Sequence, residues 1–229
     1  MSISPLPFDF APYRLSGVVY GTLMNDPQAL AALGDAVHRA PYKAAPKAPV
    51  LYVKPRNTLS SSGAALRLPG GWEALQIGAT AGMVIGRPAC RVREEEALAF
   101  VAGYTIVNDV SLPHDSFYRP SIRLKARDGF CPIGPTVTAA SAVADPDNLA
   151  MRVWIDGQLA QATCTRGRVR PAARLLAAVT EFMTLQPGDV LMLGVSQGAP
   201  LARAGQHVAI EIDGLGRLEN HVLADEVTP

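Results

Sequence analysis

Charge is scarce in this chain. Charged residues make up 18% of the 229 positions, and 21 basic side chains face 20 acidic ones, a net charge of +1. Nucleic-acid binding needs a surplus of Lys and Arg against phosphate, so a general nucleic-acid role is excluded. Cysteine is scarcer still. The three cysteines, Cys90, Cys131 and Cys164, are odd in number and far apart. They suit a reduced, cytoplasmic setting, not a disulfide framework or a zinc site. No apolar run reaches the roughly 18 residues of a membrane span. The opening MSISPLPFDFAPYRL has no basic region followed by an apolar stretch, so a secretory signal is not expected. The four histidines, His38, His114, His207 and His221, show no metal-ligand spacing.

What is present is apolar and finely divided. Hydrophobic residues reach 48%, enough to exclude a disordered chain and to build a core. The length suits one large domain or two small ones. Twenty glycines and 19 prolines are spread throughout, which implies many short elements joined by turns. Helices are expected where Asp26-Pro27 caps QALAALGDAVHRA, over Arg93–Val101 behind Glu94, Glu95 and Glu96, and over Pro171–Met183. Strands are expected at 17–20, 50–53, 81–85, 104–107, 150–155, 190–193 and 208–212, with turns at Asp156-Gly157 and Asp213-Gly214. This order lacks β-α-β alternation and predicts an α+β, mostly β fold. Residues 1–50 read as a small N-terminal segment or subdomain before a main domain over 51–229.

Two motifs carry candidate chemistry. Gly194-Val195-Ser196-Gln197-Gly198 matches the G-x-S-x-G pattern of a nucleophilic serine, with Asp213 and His221 following in triad order. That turn requires a helix directly after the serine, and Ala199-Pro200 leaves little room for one. An ordinary glycine-rich loop at a strand end is the favoured reading, and a serine esterase the distant alternative. The segment 103–135 is denser. Asn108-Asp109 stand at a strand end, followed by Phe117, Tyr118, Arg119, Arg123, Lys125 and Arg127. Cations beside a strand-end carboxylate suit a small anionic ligand, or a carboxylate kept ionised to hold a metal. A charged surface loop is the equal alternative. Gly129–Pro135 reads as an ordered turn holding the basic residues in place.

GYTIVNDVS (103–111), Lys125, DGFCPIGP (128–135), LQPGDVLMLG (185–194) and EIDGLGRLENHV (211–222) resemble the fumarylacetoacetate hydrolase family. Val84-Ile85-Gly86 and the Arg93–Val101 helix fit the same pattern. Pro41-Tyr42-Lys43, KPRNT (54–58) and VSLPHDSFYRP (110–120) are similar to the amino-terminal half or subunit of a bifunctional decarboxylase/isomerase within it.

The resemblance implies a mixed β-sandwich roll with a few short helices. It implies a site for magnesium or another divalent cation, built from two glutamates of an E-x-E strand and one aspartate. The aspartate falls on Asp109, but Gly78 and Thr80 stand at the glutamate positions, and the nearest upstream acid is Glu73. The implied lysine is Lys125. The implied substrates are linear, unsaturated oxo-di- or tricarboxylates from aromatic-ring cleavage. Lys125 or a metal would stabilise enolate charge, and Arg119 and Arg123 would clamp the distal carboxylate. Tyr118, Ser196 and Gln197 complete the expected substrate-binding set, with His114 and Asp115 as candidates for proton transfer. The missing carboxylates raise a second possibility, a degenerate partner of a metal-competent paralogue. A homodimer or a heteromer with such a paralogous subunit is the expected assembly.

Overall fold

The computed structural model describes residues 18–115 and 122–225. In chain order its strands are β1 (Val19–Leu23), β2 (Val50–Lys54), β3 (Leu59–Ser61), β4 (Ala65–Leu68), β5 (Leu75–Gln76), β6 (Ala79–Ile85), β7 (Val101–Asn108) and β8 (Cys131–Ile133). They continue as β9 (Thr138–Ala139), β10 (Ala150–Ile155), β11 (Gln158–Cys164), β12 (Val190–Met192), β13 (Leu201–Ala202), β14 (His207–Ile212) and β15 (Gly216–Ala224). The α-helices are α1 (Pro27–Leu33), α2 (Ile122–Lys125) and α3 (Ala172–Thr180). The fold is mostly β with a mixed, curled sheet and few short helices.

The larger sheet has eight strands in the order β2-β1-β12-β6-β7-β8-β3, with β9 pairing to β7. β2 and β7 are four steps apart in that order, about 19 Å in a flat sheet at roughly 4.8 Å per step. Yet side chains of β2 touch the residue that follows β7 (below). The sheet therefore curls on itself. Chain connectivity demands the same, because β2 and β3 lie at opposite ends of the order but are joined by the short 3-10 turn Arg56–Thr58. Both faces of the curled middle are covered, so every residue of β6 is buried and the strand is apolar apart from Thr80.

The second sheet, β11-β10-β14-β15-β4, covers the roll on one face only. Its strands alternate accordingly, with Met151 and Val153 of β10 and Leu218, Asn220 and Val222 of β15 turned into the core. The Asp156-Gly157 turn closes β10 onto β11 with both residues at positive φ, 50° and 76°, the backbone that a two-residue hairpin needs. Asp156 then accepts the backbone N–H of His207, which ties the turn to β14. In α3, Leu175, Leu176 and Val179 form a fully buried stripe.

Several expected elements take a different form. The first helix stops at Leu33, and Gly34–His38 continues as a 3-10 turn because Gly34 has φ 47°, which breaks the α-helix. Arg93–Val101 is a 3-10 helix over Glu94–Phe100, with Arg93 paired to Glu96. β1, which belongs to the segment expected to stand apart before residue 51, lies between β2 and β12 in the larger sheet.

Candidate functional site

Asp109 follows the last residue of β7 and sits under the roll, 2% exposed. Its backbone N–H donates to Gly78 O at 2.8 Å, which fixes it against the start of β6. Three side chains converge on its carboxylate. Lys54 Nζ lies 2.9 Å from Oδ1, Lys125 Nζ lies 3.0 Å from Oδ2, and the Tyr52 hydroxyl donates to Oδ2. Tyr52 and Lys54 are two apart on β2, so they share a face of the strand. Lys54 is fully buried and also donates to the carbonyls of Val110 (2.9 Å) and Lys125 (2.8 Å). Lys125, the last residue of α2, stands 4.8 Å over the Tyr52 ring, within cation–π range.

The electrostatics follow from this packing. Burial alone would raise the Asp109 pKa, but the Lys125 and Lys54 cations and the Tyr52 hydrogen bond hold it well below the usual carboxylate range. Burial first, and then the Asp109 charge, push the Tyr52 phenol well above its usual value. The neighbouring Cys131 thiol is pushed up to about 12, mainly by burial.

Asp109 and Lys125 open onto a cavity of about 340 Å³. Its remaining polar wall comes from Gln76, Ser111, His114, Asp115, Ser196 and Gln197, and its apolar wall includes Leu23, Met24, Ala29, Leu33 and Val195. Two substrate-binding expectations, Tyr118 and Arg119, lie outside the described residues. Arg123 is exposed on α2 and is not among the described residues that line the cavity. Glu73 is exposed on the loop before β5 and is not part of the site.

Ser196 lines the cavity, but its surroundings are not those of a nucleophile. The residues after it form a turn, not a helix. Its Oγ accepts from Arg168 Nη2 at 2.9 Å and lies 3.3 Å from Thr163 Oγ1. Asp213 pairs with Arg152, and His221 lies against His207. A serine needs an adjacent base to attack, and a guanidinium is the reverse of one. The esterase reading is corrected on that ground.

The implied metal can be tested against the donors present. Both Asp109 oxygens face ammonium groups. Gly78 has no side chain, and a Cβ there would clash with the backbone carbonyl of Asp109. The Thr80 hydroxyl donates to Gly194 O at 3.1 Å. Among the described residues no three His, Cys, Asp or Glu side chains are grouped to hold a metal ion. One carboxylate shared by two lysines does not fit a divalent cation, which requires carboxylate oxygens free to bind it.

Reasoning from the sequence missed Tyr52, Lys54, Asp26 and Arg168. The i, i+2 spacing of Tyr52 and Lys54 in an apolar strand is a usable signal for the first pair. Asp26 was expected to cap α1 through its side chain. Instead its Oδ2 accepts the Gln197 N–H at 2.6 Å, and its Oδ1 lies 3.6 Å from Arg168 Nη1. Burial pulls the Arg168 guanidinium below its usual pKa, and Asp26 opposes this.

This curled, mostly β roll is the fold of a family of enzymes. The chain belongs to that family, fumarylacetoacetate hydrolase, whose C-terminal domain model matches residues 18–223. It is 42% identical over 215 residues to the 4-hydroxyphenylacetate degradation bifunctional isomerase/decarboxylase of Escherichia coli, covering 93% of this chain and 49% of that protein. The chain thus spans about half the length of that relative. Among solved structures, the 5-carboxymethyl-2-hydroxymuconate delta-isomerase of Mycobacterium smegmatis matches with a TM-score of 0.76 and 28% identity, over 92% of this chain and 78% of that one. A maleylpyruvate hydrolase from Sphingobium, solved with manganese(II) and pyruvate, matches with a TM-score of 0.69 and 30% identity, over 77% and 65% of the two chains. No helix among the described residues is long and apolar enough to cross a membrane.

Proposed function

We propose that the chain is a decarboxylase/isomerase of 4-hydroxyphenylacetate (homoprotocatechuate) degradation. Its substrates would be 5-oxopent-3-ene-1,2,5-tricarboxylate for decarboxylation and 2-hydroxyhepta-2,4-dienedioate for isomerisation. The observation that carries this reading is Lys125, an ammonium on the cavity wall held 3.0 Å from buried Asp109. In the decarboxylation the bond from C2 to the departing carboxylate breaks, and carbon dioxide leaves. The electron pair runs through the adjacent double bond to the oxo oxygen, giving a dienolate. Lys125 places positive charge where that anion develops. Protonation of the dienolate then gives the hydroxydiene, and His114 and Asp115, both on the cavity wall, are the candidates for that proton transfer. Isomerisation needs only the proton steps across the same dienolate. Asp109 fixes Lys125, and Lys54 balances the Asp109 charge from the buried side.

The test is turnover of the two substrates by the wild-type chain and by Lys125→Ala, followed through the ultraviolet absorbance of the diene and through released carbon dioxide. Loss of about 100-fold or more in kcat is expected from removing a charge aimed at the developing anion. Unchanged kcat would remove Lys125 from the chemistry.

A second reading has its own observation. The clash at Gly78 and the two lysines on Asp109 fit a unit that pairs with a metal-competent paralogue, as a homologous half or a separate subunit. Turnover that appears only on mixing with such a partner favours this reading, and full turnover of the chelator-treated chain alone removes it.

A further inference from the structure

Arg168 lies between β11 and α3, and its side chain is 2% exposed. A buried guanidinium is costly unless its charge and its donors are matched. Here the match is incomplete. Nη2 donates to the neutral Ser196 hydroxyl at 2.9 Å. Nη1 is 3.6 Å from Asp26 Oδ1, beyond hydrogen-bond length, and the other Asp26 oxygen is taken by the Gln197 N–H. Nε is buried with no hydrogen-bond partner among the described residues. The cation therefore keeps only a long ion pair with Asp26 and has an unused donor directly behind a residue that lines the cavity.

Ser196 is loosely held on its other side. Its contact with Thr163 Oγ1 is 3.3 Å, long for an O–H···O bond, which prefers 2.5–3.0 Å. Because Arg168 donates to Oγ, the hydroxyl proton is free to turn toward a better acceptor. The same donation polarises the O–H and strengthens it as a donor. An anionic oxygen entering beside Ser196 gains a charge-assisted hydrogen bond and the field of the guanidinium behind it. A neutral carbonyl or hydroxyl gains only an ordinary hydrogen bond.

We propose that Arg168, acting through the Ser196 hydroxyl, makes this wall of the cavity selective for a carboxylate on the substrate's distal arm. Arg168 is a positioning residue and Ser196 the group that touches the ligand. The inference deepens the substrate reading above and rests on it, since the 2-oxo acid end is assigned to Lys125.

The test is calorimetric binding of two probes, 2-oxoheptanedioate and 2-oxoheptanoate, to the full chain. The probes share the 2-oxo acid end and differ in the distal carboxylate. Wild type should prefer the diacid by about tenfold or more, the size of one hydrogen bond to a charged group. Ser196→Ala and Arg168→Gln should weaken the diacid far more than the monoacid and so erase most of that preference, while Arg168→Lys should recover part of it. Ser196→Ala removes no buried charge, so it keeps the test valid should Arg168→Gln fail to fold. A wild type with no preference, or a preference that survives both variants, overturns the inference. Lys125→Ala separates the two readings, because it should weaken both probes alike. If it weakens neither while Arg168→Gln still erases the preference, the Lys125 reading fails and this one stands.

Discussion

Replacing Asp109 by asparagine should destabilise the fold more than any surface change. The side chain keeps its size, so packing is preserved and the variant reports charge. Two ammonium groups lose their anion. Lys54 has a side-chain exposure of 0%, so water cannot compensate it, and Lys125, at 9%, meets solvent only through the cavity. Removing one partner of a buried ion pair costs about 3–5 kcal/mol. Two features set the value within that range. Lys54 retains its hydrogen bonds to the carbonyls of Val110 and Lys125, so it loses Coulomb energy but not every partner. The amide oxygen of asparagine can still accept from Tyr52. Both point to the lower end, about 3 kcal/mol. At roughly 2–4 °C per kcal/mol for a chain of this size, the melting temperature should fall by about 6–12 °C. Urea denaturation gives the free energy directly, and an unchanged m-value shows that the same surface is being exposed. Adding Lys54→Met to Asp109→Asn should recover part of the loss, because it removes one of the two stranded charges. A single variant within about 1 kcal/mol of wild type would refute the reasoning, since surface-like ion pairs are worth no more than that.

Other expectations follow from the same geometry. Gly78→Ala should cost about 1–3 kcal/mol, because its Cβ would clash with Asp109 backbone, which has no flexible end to move aside; chemical denaturation measures this. The depressed Asp109 pKa contributes stability that is fully present above its unfolded value of about 3.9 and is lost as pH falls toward the lower folded one, so acid unfolding should begin below about pH 4 and be blunted in Asp109→Asn. Cys90 is exposed, whereas buried Cys131 has its thiol pushed up to about 12 and stays protonated, so iodoacetamide at neutral pH should label Cys90 in the native chain and Cys131 only after unfolding, as read by mass spectrometry. A fluorophosphonate probe should leave Ser196 unlabelled in folded protein, since its partner is a guanidinium and not a base.

The β-rich class was legible because the central strands are short apolar runs bounded by turn residues. β6 and β7 declare themselves this way, since both faces of the curled sheet are covered. β11 was not legible. It is mostly exposed and of mixed polarity, QLAQATC, and forms only because the Asp156-Gly157 turn returns the chain alongside β10. In the site, Lys125 and Asp109 were found through a family likeness. Lys54 escaped because its burial depends on the curl of the sheet, which places β2 against the end of β7 and leaves as local trace little more than its i, i+2 spacing from Tyr52. Arg123 is the complementary case. A basic residue in a loop declares its charge but not which side of a short helix meets the cavity. Arg168 and Asp26 meet only when the start of α1 packs beside the loop between β11 and α3, and no pattern within either segment announces that contact.

The charge of the Asp109 cluster gives a physical meaning to the glycine and threonine at positions 78 and 80. Three carboxylates around one lysine would carry a net negative charge and would repel an oxo acid unless a cation neutralised them. Here one carboxylate meets two lysines, and 2 − 1 leaves the cluster at +1. It attracts an anion as it stands. Gly78, Thr80 and the burial of Lys54 against Asp109 therefore fit one electrostatic arrangement. Introducing a glutamate at 78 alone would meet both a steric clash with Asp109 and the ammonium groups already holding its carboxylate. A variant designed to bind a metal here would need Lys54 changed along with Gly78 and Thr80, because Lys54 already holds one oxygen of Asp109.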